Sequence, residues 1–328
     1  MQVPKLTRCT SSPILSPINN PTHWWEARSV FNPGVIVKDG KIFVLYRALG
    51  EVHYSTFGLA ILSDPTTVEK RFQKPVYEPD ENNPYEEFGV EDARIIPLDG
   101  TYYIVYNGPS IYHEGTKRVN PWDHMNVPWR LRCSLAQTDD FIHYKRYGVI
   151  LPDIDSKDGV LFPEKINGQY VLIHRIFPHM WISFSDTIAH FEKGEVFAKV
   201  RAGEWDSERI GAGAVPIKTE LGWLCFYHGV YYRGSDPRQA RGIFEYALGI
   251  MLLDLQDPRK ILYRSDEPIL APEEEYEKIG YVDNVVFTCG AIDFQNVYYI
   301  YYGAADSRVA VASVEKQVLL EYLKAKIS

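Results

Sequence analysis

The sequence predicts an all-β fold, a five-bladed β-propeller with a short C-terminal helix, formed as one domain over residues 1–328. Three observations predict it. A hairpin pattern recurs five times, most copies are followed by a further β-rich run, and aromatic residues make up 14% of the chain. Aromatic side chains favour pleated, half-buried surfaces, and repeats of this length are typical of radial β architectures.

Each copy of the hairpin pattern is an apolar run, a Gly-marked or polar turn, and an aromatic strand that ends in a polar residue. In the first copy, Phe31 to Val37 leads through Asp39-Gly40 into Ile42 to Arg47. The other copies turn at Asp99-Gly100, at Asn167-Gly168, near Gly222 and near Gln295-Asn296. Turn positions 40, 100, 168, 222 and 296 are 60, 68, 54 and 74 residues apart. Because Asp-Gly and Asn-Gly are strong hairpin signals, each copy predicts two strands of one blade.

Second β-rich runs follow the first four hairpins and supply the remaining strands of the repeats. They are Phe57 to Leu62, Leu131 to Gln137, Met180 to Phe184 and Ala247 to Leu253, each closed by Ser or Asx residues. A long β-sandwich is the alternative, but the turns and terminal polar residues recur in register. Val314 to Lys326 predicts an amphipathic helix that packs on the propeller through Val318, Leu319 and Leu323.

Composition argues against several classes of protein. The net charge is −8 with no Lys/Arg cluster on one segment, which disfavours a nucleic-acid role. No apolar run approaches membrane-spanning length, and residues 1–13 do not read as a secretory signal, so we expect a cytoplasmic protein. The four cysteines are far apart, which predicts free thiols and neither a disulfide framework nor a metal site.

Polar residues recur at matching strand ends. Because the innermost strand of each propeller blade lines the central channel, such residues point into one shared pocket. At the end of the second strand of a hairpin, six or seven positions after the turn glycine, lie Arg47, Asn107, Arg175 and His228. Near the start of the first strand, eight positions before the turn glycine, lie Asn32 and Asp92. Charged side chains inside apolar strands are costly unless they are paired or functional, so we predict a ligand-holding centre.

The charges in this set favour an anionic ligand. The carboxylates are Glu91, Asp92 and Asp306, and the basic candidates are Arg47, Arg132, Lys165, Arg175 and His228. Basic groups beside a carboxylic acid suit phosphate with an acid available for proton transfer. No Gly-rich phosphate loop precedes a helix, so side chains would hold the phosphate.

Several motifs, taken in order, resemble those of glycoside hydrolase family 130. They are Phe31-Asn32-Pro33, Leu45-Tyr46-Arg47-Ala48, Gly89-Val90-Glu91-Asp92-Ala93-Arg94, Lys157 to Ile166, His174-Arg175, Tyr227-His228-Gly229, Asn284 to Phe287 and Tyr301 to Asp306. The resemblance implies a five-bladed propeller and, for most members, an inverting β-mannoside phosphorylase; a minority are β-mannosidases. Two departures, Ala93 for the usual Pro and Tyr281-Val282-Asp283 for Asp-Val-Pro, bear on which linkage is handled.

The resemblance also implies roles for individual residues. Asp92 would be the general acid, and Asn32, Arg47 and Asp306 match mannose-holding positions. Glu91 and Asn107 are expected as further substrate contacts because they belong to the polar set described above. The expected phosphate contacts are Arg132, Lys165, Arg175 and His228, with Arg146 as a further candidate. Inorganic phosphate is then a co-substrate, and no cofactor is expected.

Phosphorolysis needs one catalytic carboxyl, whereas inverting hydrolysis needs a second to activate water. The basic set favours phosphate, which would attack C1 of a terminal β-mannosyl unit of a manno-oligosaccharide to give α-mannose 1-phosphate. An inverting β-mannosidase with Glu204, Glu208 or Glu273 as base is the first alternative. A non-catalytic sugar-binding propeller is the second.

Two long inserts flank the strand that carries Asp92. They are Tyr77 to Glu87 and the loop between Ser110 and Trp129. Long inserts in a compact domain are usually functional or disordered, so we predict that they form the acceptor side of the pocket. Contacts in a homo-oligomer are the alternative role.

Overall fold

The computed structural model describes residues 2–113, 129–234 and 244–327. Within these ranges the chain forms five antiparallel sheets, numbered here as blades I to V in chain order. This arrangement confirms the predicted five-bladed propeller. Much of the predicted Ser110–Trp129 insert lies outside the described residues.

Each blade is built from an innermost strand outward. The first strand in the chain is β1 (Thr7–Arg8). Blade I contains β2 (Ser29–Lys38), β3 (Lys41–Leu49), β4 (Thr56–Leu62) and β5 (Val68–Arg71). Blade II contains β6 (Glu91–Leu98), β7 (Thr101–Ile111), β8 (Trp129–Thr138) and β9 (Lys145–Val149). Blade III contains β10 (Lys157–Leu161), β11 (Tyr170–Ile176), β12 (His179–Ser185) and β13 (Glu195–Ala198). Blade IV contains β14 (Arg209–Ala212), β15 (Ile217–Thr219), β16 (Gly222–Tyr232), β17 (Phe244–Leu253) and β18 (Ile261–Arg264). Blade V contains β19 (Val286–Phe294), β20 (Val297–Ala304) and β21 (Arg308–Glu315).

The inner hairpins turn where the sequence predicts. In four of them both central residues have positive φ, from 51° to 83°, as a two-residue type I′ turn requires. These pairs are Asp39-Gly40, Asp99-Gly100, Asn167-Gly168 and Gln295-Asn296. Because such turns fix the register, each hairpin brings the start of its first strand and the end of its second strand to the same face of the propeller.

The ring is closed by the N-terminal strand. β1 pairs with β21, with Thr7 opposite Ser313 and Arg8 opposite Ala312, so blade V combines both ends of the chain. Arg8 reinforces the closure, because its Nε and Nη2 donate hydrogen bonds of 2.8 and 2.7 Å to the buried carboxylate of Glu277. A two-residue strand carries no periodic pattern, and the sequence did not predict this closure.

Large apolar side chains fill the spaces between neighbouring blades. One cluster lies between each adjacent pair, including a cluster between blades V and I that contains Tyr46 and Tyr301. Packing between sheets therefore holds the blades in a ring, and the innermost strands line a central channel.

The helices are short. A 3-10 turn spans Trp24–Glu26, α1 spans Glu275–Lys278, and the C-terminal α2 spans Lys316–Ile327. The last helix starts two residues later than predicted because Val314 and Glu315 extend β21. It packs on the propeller through Leu319 and Leu323, as expected, and also through Tyr322. The prediction for Val318 is wrong, since that side chain is 51% exposed. No helix among the described residues combines the length and apolar character needed to cross a membrane.

Candidate active site

The innermost strands of blades I, II and III share one local distortion near their first residues. The ladder register shifts between Phe31 and Gly34, between Glu91 and Arg94, and between Lys157 and Val160. In each bulge one residue adopts the left-handed conformation: Asn32 (φ 46°), Asp92 (φ 55°) and Asp158 (φ 55°). Asn and Asp tolerate this conformation best among residues with a Cβ. The three bulges thus place three buried polar side chains at equivalent positions of consecutive blades.

One group of site residues surrounds Asp92. The side-chain Nδ2 of Asn32 donates a 2.9 Å hydrogen bond to Oδ1 of Asp92. Arg47 lies between two acids, with Nη2 at 2.5 Å from Glu91 Oε1 and Nη1 at 3.5 Å from Asp92 Oδ1. The structure therefore brings together Asn32, Arg47, Glu91 and Asp92, as predicted.

Asp306 belongs to the same group because its pKa responds to the charges of Arg47, Asp92 and Glu91. It follows the end of β20 in blade V, and burial raises the pKa of its carboxyl to about 7. Asp92 and Glu91 act in the same direction on this pKa, while Arg47 and Lys157 oppose it. Burial also raises the pKa of Glu91, against the opposing charge of Arg47. Crowded carboxyls with raised pKa values can hold a proton at neutral pH.

A second group forms around Asp158. Arg175 Nη1 lies 3.0 Å from Asp158 Oδ2 and 3.1 Å from His228 Nε2, so this pair of predicted phosphate residues is brought together. Burial lowers the pKa of His228 well below its usual range, with Asp158 opposing the shift. The imidazole is therefore neutral at neutral pH, and Nε2 accepts the arginine N–H.

Two residues that the sequence analysis did not assign connect these groups. Lys157 pairs with Arg175 across the β10–β11 ladder and is close enough to lower the pKa of both Asp306 and Asp158. Arg94 is fully buried; its Nη1 donates a 2.8 Å hydrogen bond to the carbonyl of Asp92, and its Nη2 lies 3.7 Å from Asp158 Oδ1. Cationic groups therefore separate the two sets of carboxylates.

Other predicted residues lie outside this centre. Lys165 lies beyond the end of β10, beside the Asn167-Gly168 turn at the opposite face; it is exposed, with its Nζ 4.3 Å from the Tyr170 ring centroid. The placement of Lys165 beside the other phosphate contacts is thus corrected, because Pro163 lies in a loop that separates Lys165 from Lys157. Arg146, the further candidate, lies on the outermost strand of blade II and binds Glu86 Oε2 at 2.9 Å.

Arg132 and Asn107 lie at the site face of blade II. Arg132 is on β8, two strands out from the channel, and forms an ion pair with the buried Asp155. Asn107 is the ladder partner of Glu91, and its Nδ2 is buried without a hydrogen-bond partner among the described residues. Asn107 therefore has an unused donor beside the carboxylate group, whereas the charge of Arg132 is already paired.

The sequence held a signal for Asp158. Asn32 precedes Arg47 by 15 residues and Asp92 precedes Asn107 by 15, while Asp158 precedes Arg175 by 17. The two extra residues fall in the loop that contains Pro163. Asp158 therefore does not lie eight positions before its turn glycine, as Asn32 and Asp92 do, and the spacing rule misses it. The motif Lys157-Asp158-Gly159 thus corresponds to Glu91-Asp92-Ala93 in blade II.

The opposite end of the channel has a different character. A cavity of about 300 Å³ there is lined mainly by apolar residues of the innermost strands and the adjoining loops, among them Val37, Pro97, Pro216 and Ile292. The described charged cluster lies at the other face, so we place the chemistry there. Among the described residues no group of three or more His, Cys, Asp and Glu side chains is arranged to hold a metal ion.

The carboxylates proposed as alternative bases are peripheral. Glu204 and Glu208 are exposed residues that precede β14, and Glu273 is exposed and pairs with Arg8 at 2.9 Å. Glu91 and Asp306, by contrast, act together with Asp92 on the charge of Arg47.

Comparison with known proteins relates this chain to mannoside phosphorylases. A family model for glycoside hydrolase family 130, described as beta-1,4-mannooligosaccharide phosphorylase, matches residues 3–325. The chain is 39% identical over 326 residues to a beta-1,2-mannobiose phosphorylase of Thermoanaerobacter sp. (strain X514), covering 95% of this chain and 98% of that protein. It is 37% identical to a 1,2-beta-oligomannan phosphorylase of the same organism, covering 95% of this chain and 97% of the relative.

A solved structure has the same architecture. The beta-1,2-mannobiose phosphorylase from Listeria innocua, in complex with beta-1,2-mannobiose, matches with a TM-score of 0.80 and 28% identity. The match covers 98% of this chain and 99% of that structure, so every blade has a counterpart there.

Proposed function

The chain belongs to glycoside hydrolase family 130, and we propose that it is an inverting phosphorylase that cleaves a terminal β-mannosyl unit with inorganic phosphate. The main support is similarity to two relatives that are named as phosphorylases, at 39% and 37% identity over 95% of the chain. The family resemblance found in the sequence is thereby confirmed.

The proposed roles follow the two groups of residues. Asn32, Arg47, Glu91, Asn107 and Asp306 hold the mannosyl unit at the channel mouth beside Asp92. Phosphate binds on the side of Lys157, Arg175 and His228, with Arg132 further out. Lys157, and not Lys165, is the lysine of this phosphate site, because it lies at the site end of β10. Cationic side chains offset the charge of phosphate beside the carboxyl groups of Glu91, Asp92, Asp158 and Asp306.

In the proposed reaction a phosphate oxygen forms a bond to C1 while the bond from C1 to the glycosidic oxygen breaks. Asp92 donates its proton to the leaving oxygen, directly or through a sugar hydroxyl. The products are α-mannose 1-phosphate and an acceptor one unit shorter. The hydrogen bond from Asn32 and the nearby Arg47 fix the orientation of the Asp92 carboxyl.

We further propose that the scissile linkage is β-1,2. The two relatives at 39% and 37% identity, and the Listeria innocua structure, all carry β-1,2 names. The family description names β-1,4-linked substrates, so both linkages belong in the test.

The test is incubation of the purified protein with β-1,2- and β-1,4-mannobiose, with and without phosphate, followed by assay of mannose 1-phosphate and free mannose. We expect mannose 1-phosphate from the β-1,2 substrate only when phosphate is present. Release of free mannose at the same rate without phosphate would instead establish the hydrolase. Binding of mannobiose without turnover would establish the non-catalytic alternative.

A further inference from the structure

Asp158 has no role in the proposal above, yet it lies in the third copy of the bulge that delivers Asn32 and Asp92. Bulges commonly lie next to active sites, where they redirect a side chain, so a bulge repeated at the same position of three blades points to a functional role for each of its side chains. The first copy supplies an amide and the second the proposed acid. The third supplies a carboxylate whose surroundings differ from both.

The Asp158 side chain is fully buried and ionised. Burial opposes ionisation, but Arg175 foremost, with Lys157 and Arg94, holds its pKa below the usual range. Among the described residues neither carboxylate oxygen accepts a hydrogen bond. The carboxylate is therefore held by charge contacts alone: Arg175 Nη1 at 3.0 Å and Arg94 Nη2 at 3.7 Å, beside the neutral His228 Nε2 at 3.5 Å.

Such an ion cluster is a poor stabiliser of a fold. Removing charges from water costs several kcal/mol per ion, and buried ion pairs often contribute no more stability than apolar side chains of similar size. Asp158 also packs closely against the backbone of blade IV: a Cβ on Gly211 would overlap its Oδ2 and Cε1 of His228. A rigidly placed anion with incomplete hydrogen bonding is more consistent with orienting its partners than with holding the blades together.

Two partners of Asp158 lie next to the proposed reacting groups, which are the phosphate and the Asp92 carboxyl. Arg175 lies at the site end of β11, where we place phosphate. Arg94 donates to the carbonyl of Asp92 at 2.8 Å and to the carbonyls of Ala212 and Gly213 at 3.0 and 3.2 Å. The Asp158 carboxylate thus contacts the arginine beside the phosphate and the arginine that supports the Asp92 backbone.

We propose that Asp158 is a positioning residue of the phosphate site, which holds the Arg175 guanidinium towards phosphate and, through Arg94, fixes the bulge that carries Asp92. It does not touch the substrate itself. This inference rests on the proposed phosphorolysis and adds a residue for which the family resemblance supplied no role.

The test is the isosteric variant Asp158→Asn, which keeps one acceptor oxygen and removes the charge. We expect the KM for phosphate to rise roughly 10- to 100-fold, as for loss of a charged partner, while the KM for mannobiose changes less than about twofold. Inhibition by sulfate, a tetrahedral anion that resembles phosphate, is expected to weaken in parallel.

The matched control is Asp206→Asn. Asp206 is equally buried and paired with Arg201 Nη2 at 2.9 Å and with Arg264, on the outermost strand of blade IV. This variant is expected to lower the melting temperature but not the affinity for phosphate. A structural role for Asp158 would make the two variants alike.

A second variant covers the case in which Asp158→Asn does not fold. Gly211→Ala displaces the Asp158 carboxylate, and with it the neighbouring His228 ring, without removing the charge, and it is expected to raise the KM for phosphate selectively. An unchanged KM for phosphate in either folded variant, or an equal rise in both KM values, would overturn the inference. Absence of mannose 1-phosphate from the unmodified protein would instead overturn the proposed function.

Discussion

The side-chain amide of Asn32 donates a 2.9 Å hydrogen bond to Asp92 across the boundary between blades I and II. Both residues occupy the left-handed position of the same bulge in their own blade. An amide can only donate from Nδ2, so the contact fixes which carboxyl oxygen of Asp92 stays free for the substrate. Orientation of the proposed acid is therefore a property of two neighbouring blades and not of one strand.

Replacement of Asp92 by Asn tests the acid. We expect kcat to fall by roughly 10²- to 10⁴-fold, the usual contribution of general acid catalysis, because an amide cannot protonate the leaving oxygen. Mannobiose should still bind with similar affinity in calorimetry, since Arg47 and Glu91 are retained. Turnover within a few-fold of the unmodified protein would rule out Asp92 as the acid.

Lys157→Met and Lys165→Met form a matched pair of lysine variants in one blade. We expect the first to raise the KM for phosphate roughly 10- to 100-fold, as for loss of a charged hydrogen-bond donor, and the second to leave it unchanged. The reason is position, because Lys157 lies at the site end of β10 and Lys165 at the other face. Initial rates over a range of phosphate concentrations decide the question, and the reverse pattern would restore the sequence-based assignment.

The carboxyl of Asp306 predicts a pH dependence of substrate binding. Its pKa of about 7 means that it is protonated below neutrality and ionises beside Asp92 and Glu91 above it. We expect the KM for mannobiose to rise as the pH passes through about 7, because a protonated carboxyl donates a hydrogen bond that the ionised form cannot. In Asp306→Asn the KM for mannobiose should no longer rise near pH 7. A rise that persists in the variant would refute the assignment.

The same group predicts a pH dependence of stability. An unfolded Asp loses its proton near pH 4, whereas the folded carboxyl keeps it to about 7. Between these values the folded state binds more protons, so this residue makes the free energy of unfolding fall as the pH rises from about 4 to about 7. Urea titrations at about pH 5 and about pH 8 should show a smaller difference for Asp306→Asn. Asp266→Asn, whose parent side chain is 85% exposed, is the control and should match the unmodified protein.

Arg8→Met tests the closure of the ring. The variant leaves the fully buried Glu277 carboxylate without its arginine, and stranding a buried charge typically costs about 3–5 kcal/mol of unfolding free energy. Lys5→Met removes an exposed pair with Glu267 and should leave the midpoint close to that of the unmodified protein. Denaturant midpoints measure both, and equal midpoints would show that the closure does not depend on this ion pair.

The hairpins and the residues at their ends could be predicted because their signals are local. Asp-Gly and Asn-Gly turns fix the register, and fixed register placed Asn32, Arg47 and Asp92 at one face. In blade III the loop with Pro163 lengthens the spacing between the first residues of β10 and the turn glycine. For this reason the sequence analysis assigned Lys165 to the phosphate site and did not assign Lys157 or Asp158. Arg94 could not be assigned from sequence at all, since its partners Ala212 and Gly213 lie more than a hundred positions away and are backbone carbonyls.

The pairing of Thr7 with Ser313 sets an order of events for a newly made chain. The outer edge of β21 stays open until the first residues return to it, and those residues leave the ribosome long before their partner strand exists. Blades I to IV can form as they emerge, but an unpaired strand edge invites pairing with other molecules. We therefore expect bulky fusions ahead of Thr7 to slow the last stage of assembly and to promote aggregation, whereas fusions after α2 leave it undisturbed.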